Sequence, residues 1–380
     1  MTWPRLGAAL LAAAALLPAC APPLSPAPEA PHACPCLRLI GEATLDKGWL
    51  YQGTTVGGLS GIDYDAARDR YILLSDDRSS VDDARFYTAR IRYTANALTL
   101  PEFTGVTALR SATGQPYAPR RRAVDGVDVP DPEAVRWLPG GDAFLWTSEG
   151  DFARGFGPAL RATRAADGAL LRDVALPPSF HPFGTTGPRD NDALEGLALM
   201  PDGRTAWLAM EGPWRQDGPR ATPASGGAPV RITAIDLETG RALRQVAYPP
   251  DPVPHPSPLP GGYTTNGVSE ILADGPGHLL VLERSYTLGV GNSIRLYRVA
   301  LASGSDTLGL PALAPGNHVP LQKTLVADFA RLGLKHIDNI EGMTWGPLLP
   351  GGKRVLVFVS DDNFNPAQVT QFIAAEYVEP

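Results

Sequence analysis

Cysteine, histidine and basic runs are scarce in this chain, and each scarcity removes a class of function. Three Cys and six His in 380 residues, with no CxxC pair, supply too few soft ligands for a structural zinc module or a His-built zinc centre. Arg120-Arg121-Arg122 is the only triple basic run, and 33 Lys+Arg against 40 Asp+Glu give a formal net charge of −7. Such a chain has no electrostatic footprint for nucleic acid, and no such partner is expected. No P-loop, GxGxxG, HExxH or GxSxG occurs, which removes the best-marked routes to nucleotide, metalloprotease and serine-hydrolase chemistry. The nearest approach is Gly58-Leu59-Ser60-Gly61, where Ile62 stands in place of the last glycine. Beyond the first twenty residues no apolar run is long enough to span a membrane. What is plentiful is punctuation: 40 Gly and 39 Pro exceed the usual shares of about 7% and 5% and disfavour a helical bundle. A single core rarely grows past about 250–300 residues, so the chain either divides into domains or closes a repeat architecture on itself.

Residues 1–19 read as an export signal. Arg5 is the only charge before an apolar stretch ending at Leu17, too short for a spanning helix. Leu17-Pro18-Ala19-Cys20 resembles a bacterial lipoprotein cleavage box. Cys20 is thus the expected lipidation site, with attachment to the membrane only through that lipid and ordinary secretion as the alternative. Residues 20–36, rich in Pro and Ala, read as an extended tether. Cys34 and Cys36 at its end are expected to be a local crosslink or free thiols, because two thiols are too few for structural zinc. The remainder, 37–380, reads as one domain in the cell envelope, facing periplasm or exterior, and as a monomer.

Within that domain one pattern recurs five times: a polar residue opening an apolar run, a turn, then a second apolar run closed by an acid. The openings are Ser60, Glu133, Glu195, Glu270 and Glu341; the closing acids are Asp76-Asp77, Glu149, Glu211, Glu283 and Asp361-Asp362. Turns such as Pro139-Gly140-Gly141-Asp142 and Pro350-Gly351-Gly352 join the runs and predict β-hairpins. A second amphipathic pair follows each hairpin, clearest over 231–248. Four strands per unit around an axis describe an all-β β-propeller. The last unit lacks an outer strand, which 37–45 would supply, closing the ring with the two chain ends and removing exposed edges. Five blades are visible, with room for a sixth in 100–129 or 300–335.

In a tight hairpin the opening and closing residues fall at the same sheet edge. If the hairpins are innermost, their acids converge on one mouth of the channel. That many carboxylates raise one another's pKa unless a cation or hydrogen-bond donors answer them. An all-oxygen cluster favours a hard ion, calcium first and magnesium second. Arg follows the closing acid in four units, as Arg78, Arg154, Arg215 and Arg284, and its planar fork suits anionic oxygens. The structural alternative is that strand-end acids satisfy backbone N–H groups and the arginines lock neighbouring blades. Asp125, Asp128 and Asp131 before Glu133, Asp190-Asn191-Asp192 before Glu195, and His336 with Asp338 are further polar clusters near these openings.

Gly57-Gly58-Leu59-Ser60-Gly61-Ile62, Leu74-Ser75-Asp76-Asp77-Arg78, Asp131-Pro132-Glu133-Ala134, Ser148-Glu149-Gly150, Leu194-Glu195-Gly196-Leu197, Glu211-Gly212 and Asn339-Ile340-Glu341-Gly342-Met343 resemble, in that order, the phytase-like domain family, whose name records an esterase-like activity of phytase. The resemblance implies an exported propeller related in architecture to calcium-dependent phytases, which hydrolyse phosphate esters with calcium-held water. It implies a small anionic ester substrate, with Glu195, Glu341 and Glu211 as leading catalytic residues. Glu133, Glu195, Glu270, Glu341, Asp77, Glu149, Glu211, Glu283 and Asp361 are then expected to hold metal or orient water. Arg78, Arg215 and Arg284 are expected to hold the substrate's anion. A non-catalytic, calcium-stabilised binding propeller and a lactonase-like metal hydrolase are the alternatives.

Overall fold

The computed structural model describes residues 36–124 and 126–380. The signal, residues 20–35 of the tether with Cys20 and Cys34, and Asp125 lie outside the described residues. Cys36 is disulfide-bonded.

Every blade is a four-stranded antiparallel sheet, and there are five. From the axis outwards, blade 1 runs Leu59–Asp65, Arg70–Ser75, Arg85–Arg90, Glu102–Ala108. Blade 2 runs Pro132–Trp137, Ala143–Ser148, Ala159–Arg164, Leu170–Val174. Blade 3 runs Leu194–Leu199, Thr205–Met210, Val230–Asp236, Ala242–Tyr248. Blade 4 runs Thr264–Ala273, His278–Thr287, Gly291–Ala300, Lys323–Asp328. Blade 5 runs Asn339–Trp345, Arg354–Asp361, Gln371–Tyr377, and its outermost strand is Leu37–Thr44 from the other end of the domain. The ring therefore closes as the sequence predicts. Among the described residues there is no sixth blade: 100–129 holds the outer strand of blade 1, and 300–335 holds that of blade 4.

The second strand of each blade is a nearly unbroken apolar run because both of its faces are covered. Alternate side chains of Arg70–Ser75 serve opposite neighbours. Tyr71 and Leu73 pack with Val355, Val357 and Phe372 of blade 5. Ile72 and Leu74 pack with Val135, Phe144 and Trp146 of blade 2. The core thus lies between blades rather than at one centre.

Each innermost strand carries a β-bulge one step inside the mouth. Register shifts fall between Leu59 and Gly61, Pro132 and Val135, Leu194 and Gly196, Val268 and Glu270, and Ile340 and Gly342. A bulge leaves one residue unpaired and re-aims it. The glycine that follows in three blades marks where inner strands approach most closely. A Cβ on Gly61 would stand 2.6 Å from the Glu133 carbonyl oxygen, one on Gly196 2.9 Å from the Ile271 nitrogen, and one on Gly342 2.9 Å from the Ser60 carbonyl oxygen. The recurring Ser-Gly or Glu-Gly pair is therefore a bulge plus a close crossing between blades.

Candidate functional site

The bulges set the register of the mouth. The bulged residues are Ser60, Glu133, Glu195, Ser269 and Glu341. On the second strands, one step toward the mouth from the ladder pair that flanks each bulge, stand Asp76, Glu149, Glu211, Arg284 and Asp361. The backbone N–H groups of Asp76, Glu149 and Glu211 donate to the carbonyls of Gly58 (2.7 Å), Asp131 (3.0 Å) and Ala193 (2.7 Å). In blade 4 the ladder runs through Gly267 and Arg284, and in blade 5 through Asn339 and Asp361. These two levels surround a cavity of about 620 Å³ whose lining includes Asp76, Asp131, Glu133, Glu149, Glu195, Arg284, Glu341 and Asp361.

Blade 4 departs from the expected alignment. Glu270 lies one residue beyond the bulge and Glu283 one residue before the mouth level. A one-residue step reverses the direction of a strand side chain. Glu270 instead meets Arg136 at 2.8 Å, both side chains being buried, and accepts from the Leu197 and Ile271 N–H groups at 2.9 and 2.8 Å. Arg136 also donates to the carbonyls of Ile62 and Ile271, tying blades 1, 2 and 4 across the waist of the channel. Glu283 accepts from Tyr248 Oη at 2.6 Å, Asn266 Nδ2 at 2.7 Å and the Asp251 N–H at 3.0 Å, and pairs with Lys323 at 2.6 Å. Neither acid lines the mouth. The sequence pattern matches acids by type, whereas the bulge places Ser269 and Arg284 at the two levels.

A similar correction applies in blade 1. Asp77 accepts from the N–H groups of Ser80, Val81 and Asp82 and from Arg85 at 2.7 Å, so it organises its own loop. Its neighbour Asp76 faces the cavity instead, with a buried Oδ1 that has no partner.

Of the arginines, Arg284 stands within the mouth, 2.9 Å from Glu211 and 3.3 Å from Glu341. Arg78 flanks it, 2.9 Å from Asp131 and 3.3 Å from Asp151. Arg215 is exposed, donates to the Gly184 carbonyl at 3.1 Å and does not line the cavity. His336 does line it, paired with Asp338 at 3.1 Å. The sequence pattern missed Ser269 and the cavity-lining Tyr263 and Tyr286; the tyrosines lie outside every repeated motif.

The carboxylates are crowded. Oxygens of Asp131, Glu133 and Glu149 lie within 4.8 Å of one another, as do those of Glu149, Glu195 and Glu211, so Glu149 belongs to both groups. Among the described residues no side chain or backbone donor hydrogen-bonds the Glu133 or Glu195 carboxylate. Burial, then neighbouring carboxylates, push Asp76, Glu133, Glu149 and Glu195 well above the ordinary carboxylate range. Asp361 is raised in the same way, first by burial and then by Glu341. Burial carries Glu211 to about 7 against the pull of Arg284, and Asp131 to about 6 against that of Arg78. Burial also raises Glu341, opposed by Arg284 and Asn339. The donor set is all oxygen, under-supplied with hydrogen-bond donors, and grouped closely enough to share an ion. It fits a hard divalent cation.

No curated protein matches the chain. Among solved structures it resembles a periplasmic gluconolactonase of Pseudomonas aeruginosa, PpgL, at 12% identity, 86% of this chain, 87% of that one and a TM-score of 0.34. The Dos1 propeller gives 6% identity, 90% and 95% coverage and a TM-score of 0.34. A Kuenenia stuttgartiensis hydrazine synthase gives 12%, 85% and 98%, and 0.33. Among protein-family models, residues 54–364 match "Phytase-like: Esterase-like activity of phytase". That match spans all five bulged hairpins and both levels of the mouth, and the chain belongs to the phytase-like family.

Proposed function

We propose that the mouth binds a hard divalent cation, calcium before magnesium, and hydrolyses a small anionic ester, a phosphate ester before a carboxylic one. The observation that carries this reading is the pair of three-carboxylate groups sharing Glu149, in a cavity where Glu133 and Glu195 receive no protein donor. Asp131, Glu133, Glu149, Glu195 and Glu211 would hold the cation. When bound, it would supply Lewis acidity toward the ester and toward water. Arg284 holds Glu211 and Glu341 in place, while its buried Nε has no acceptor; this favours a role for the guanidinium toward a substrate oxygen. Glu211, raised to about 7 in the cation-free protein, would give up its proton near neutral pH as it takes the cation. Glu195 and Glu341 complete the carboxylate wall around the reacting ester. Export, lipid attachment at Cys20 and a monomeric state belong to the same proposal. Among the described residues no helix is long and apolar enough to cross a membrane.

The test is thermal unfolding in EDTA and in calcium, run beside phosphate release from phosphomonoesters and alcohol release from acyl esters. A ligand that binds only the folded state raises Tm by mass action. Calcium is expected to raise it and to switch on phosphate release, and Glu149→Gln with Glu195→Gln is expected to weaken calcium binding by at least about tenfold, or about 1.4 kcal/mol. A calcium shift without turnover would make this a binding propeller. No shift would end the metal reading.

A further inference from the structure

The hairpin of blade 4 is longer than its counterparts. Its first two strands have 10 residues each, against 6 to 8 in the other blades. The ladder therefore continues past the level of Ser269 and Arg284 to the pair Thr264 and Thr287, and stands as a wall over one side of the mouth. Tyr263 and Tyr286 sit on that wall and line the cavity, their ring centroids 6.3 Å apart with a 38° tilt. Arg284 and Tyr286 are two residues apart on one strand and so share a face. That face presents a guanidinium at the floor and an aromatic ring above it. Tyr263 is 63% exposed, although its backbone is held by the Leu288 N–H at 2.9 Å. A large aromatic group kept open at the end of a strand, its backbone tied to the hairpin, in a charged cavity offers contact area at small entropic cost.

We propose that Tyr263 is a specificity residue of this mouth, its ring stacking on an aromatic ring in the alcohol part of the substrate, so that aryl esters are the preferred class. This rests on the hydrolase reading above. The anionic group lies toward Arg284, and the aryl group rises along Tyr286 to Tyr263.

The experiment compares phenylphosphonate with methylphosphonate, which cannot be hydrolysed at an ester, by calorimetric titration of the full chain in calcium. The same preparations are assayed for turnover of phenyl phosphate and an alkyl phosphate. Aromatic stacking predicts about three- to tenfold tighter binding of the phenyl compound. Tyr263→Leu is expected to abolish that preference and lower the aryl-to-alkyl ratio of kcat/KM by the same factor. Tyr263→Phe, which keeps the ring, and Phe183→Ala, which removes an exposed aromatic outside the cavity, are expected to retain it. Equal affinity for the two phosphonates, binding of neither, or a preference that survives Tyr263→Leu would overturn the proposal. A Tyr263-dependent preference without ester turnover would leave the aryl site standing and end the hydrolase reading; turnover with equal affinities would do the reverse.

Discussion

At the scale of single residues, position in the bulge decides function more than residue type. Glu195 and Glu270 look equivalent in sequence, each opening an apolar run, yet one faces the mouth and the other is locked to Arg136. A buried pair of that kind is costly to break, since the remaining charge is stranded. The glycines beside the bulges are equally particular. In Gly61→Ala the new methyl would meet the Glu133 carbonyl at 2.6 Å and the Val135 nitrogen at 3.1 Å, backbone atoms that can yield only if blade 2 shifts. The variant is expected to lose about 1–3 kcal/mol of stability, read by urea unfolding, and to bind calcium more weakly because Glu133 moves with its carbonyl. Unchanged stability would show that the two inner strands are not in contact there.

At the scale of elements, the strand that closes the ring is the most exposed dependency of the fold. Leu37–Thr44 pairs along its length with Gln371–Tyr377, from Leu37 opposite Tyr377 to Thr44 opposite Gln371, with one bulge between Leu39 and Gly41. Blade 5 is therefore built from both ends of the domain. Removing residues 1–44 would leave Gln371–Tyr377 as an open edge and strip Leu37 and Ile40 from the core between blades. The truncated chain is expected to lose its cooperative melting transition or to aggregate, measured by calorimetry and light scattering. A cooperative melt within about 2 °C of the full chain would mean that closure contributes under about 1 kcal/mol. The closing strand was legible because the last repeat lacked a partner and an amphipathic segment remained unused. The blade 4 wall was not legible, since its extra residues lie outside the repeated motif and do not lengthen it: 13 residues separate Glu270 from Glu283, against 16 between Glu195 and Glu211.

At the scale of the whole molecule, the mouth concentrates repulsion that the rest of the propeller must withstand. Its carboxyls hold protons to a higher pH when folded than when unfolded, Asp131 to about 6 and Glu211 to about 7. Between the unfolded value and these, the folded state binds more protons, so stability of the cation-free protein falls as pH rises through that window. Calcium favours the ionised form and opposes the loss. The difference in Tm between calcium and EDTA is expected to be small near about pH 5 and to grow toward about pH 8. A difference that stays flat or shrinks with pH would show that the carboxylates do not bind the ion. The sequence by itself determined the repeat, the hairpins, the closing strand and the acidic character of one mouth, and showed five blades while leaving room for a sixth. Each of these depends on local pattern: alternation, turn residues and recurrence along the chain. Only the tertiary structure decided that Ser269 and Arg284, not Glu270 and Glu283, stand at the mouth in blade 4, that Asp76 replaces Asp77, that Arg215 lies outside, and that Tyr263 and Tyr286 form a wall. Those outcomes turn on the register of pairing, where a one-residue slip reverses a side chain and which neighbouring strands must meet before it is fixed.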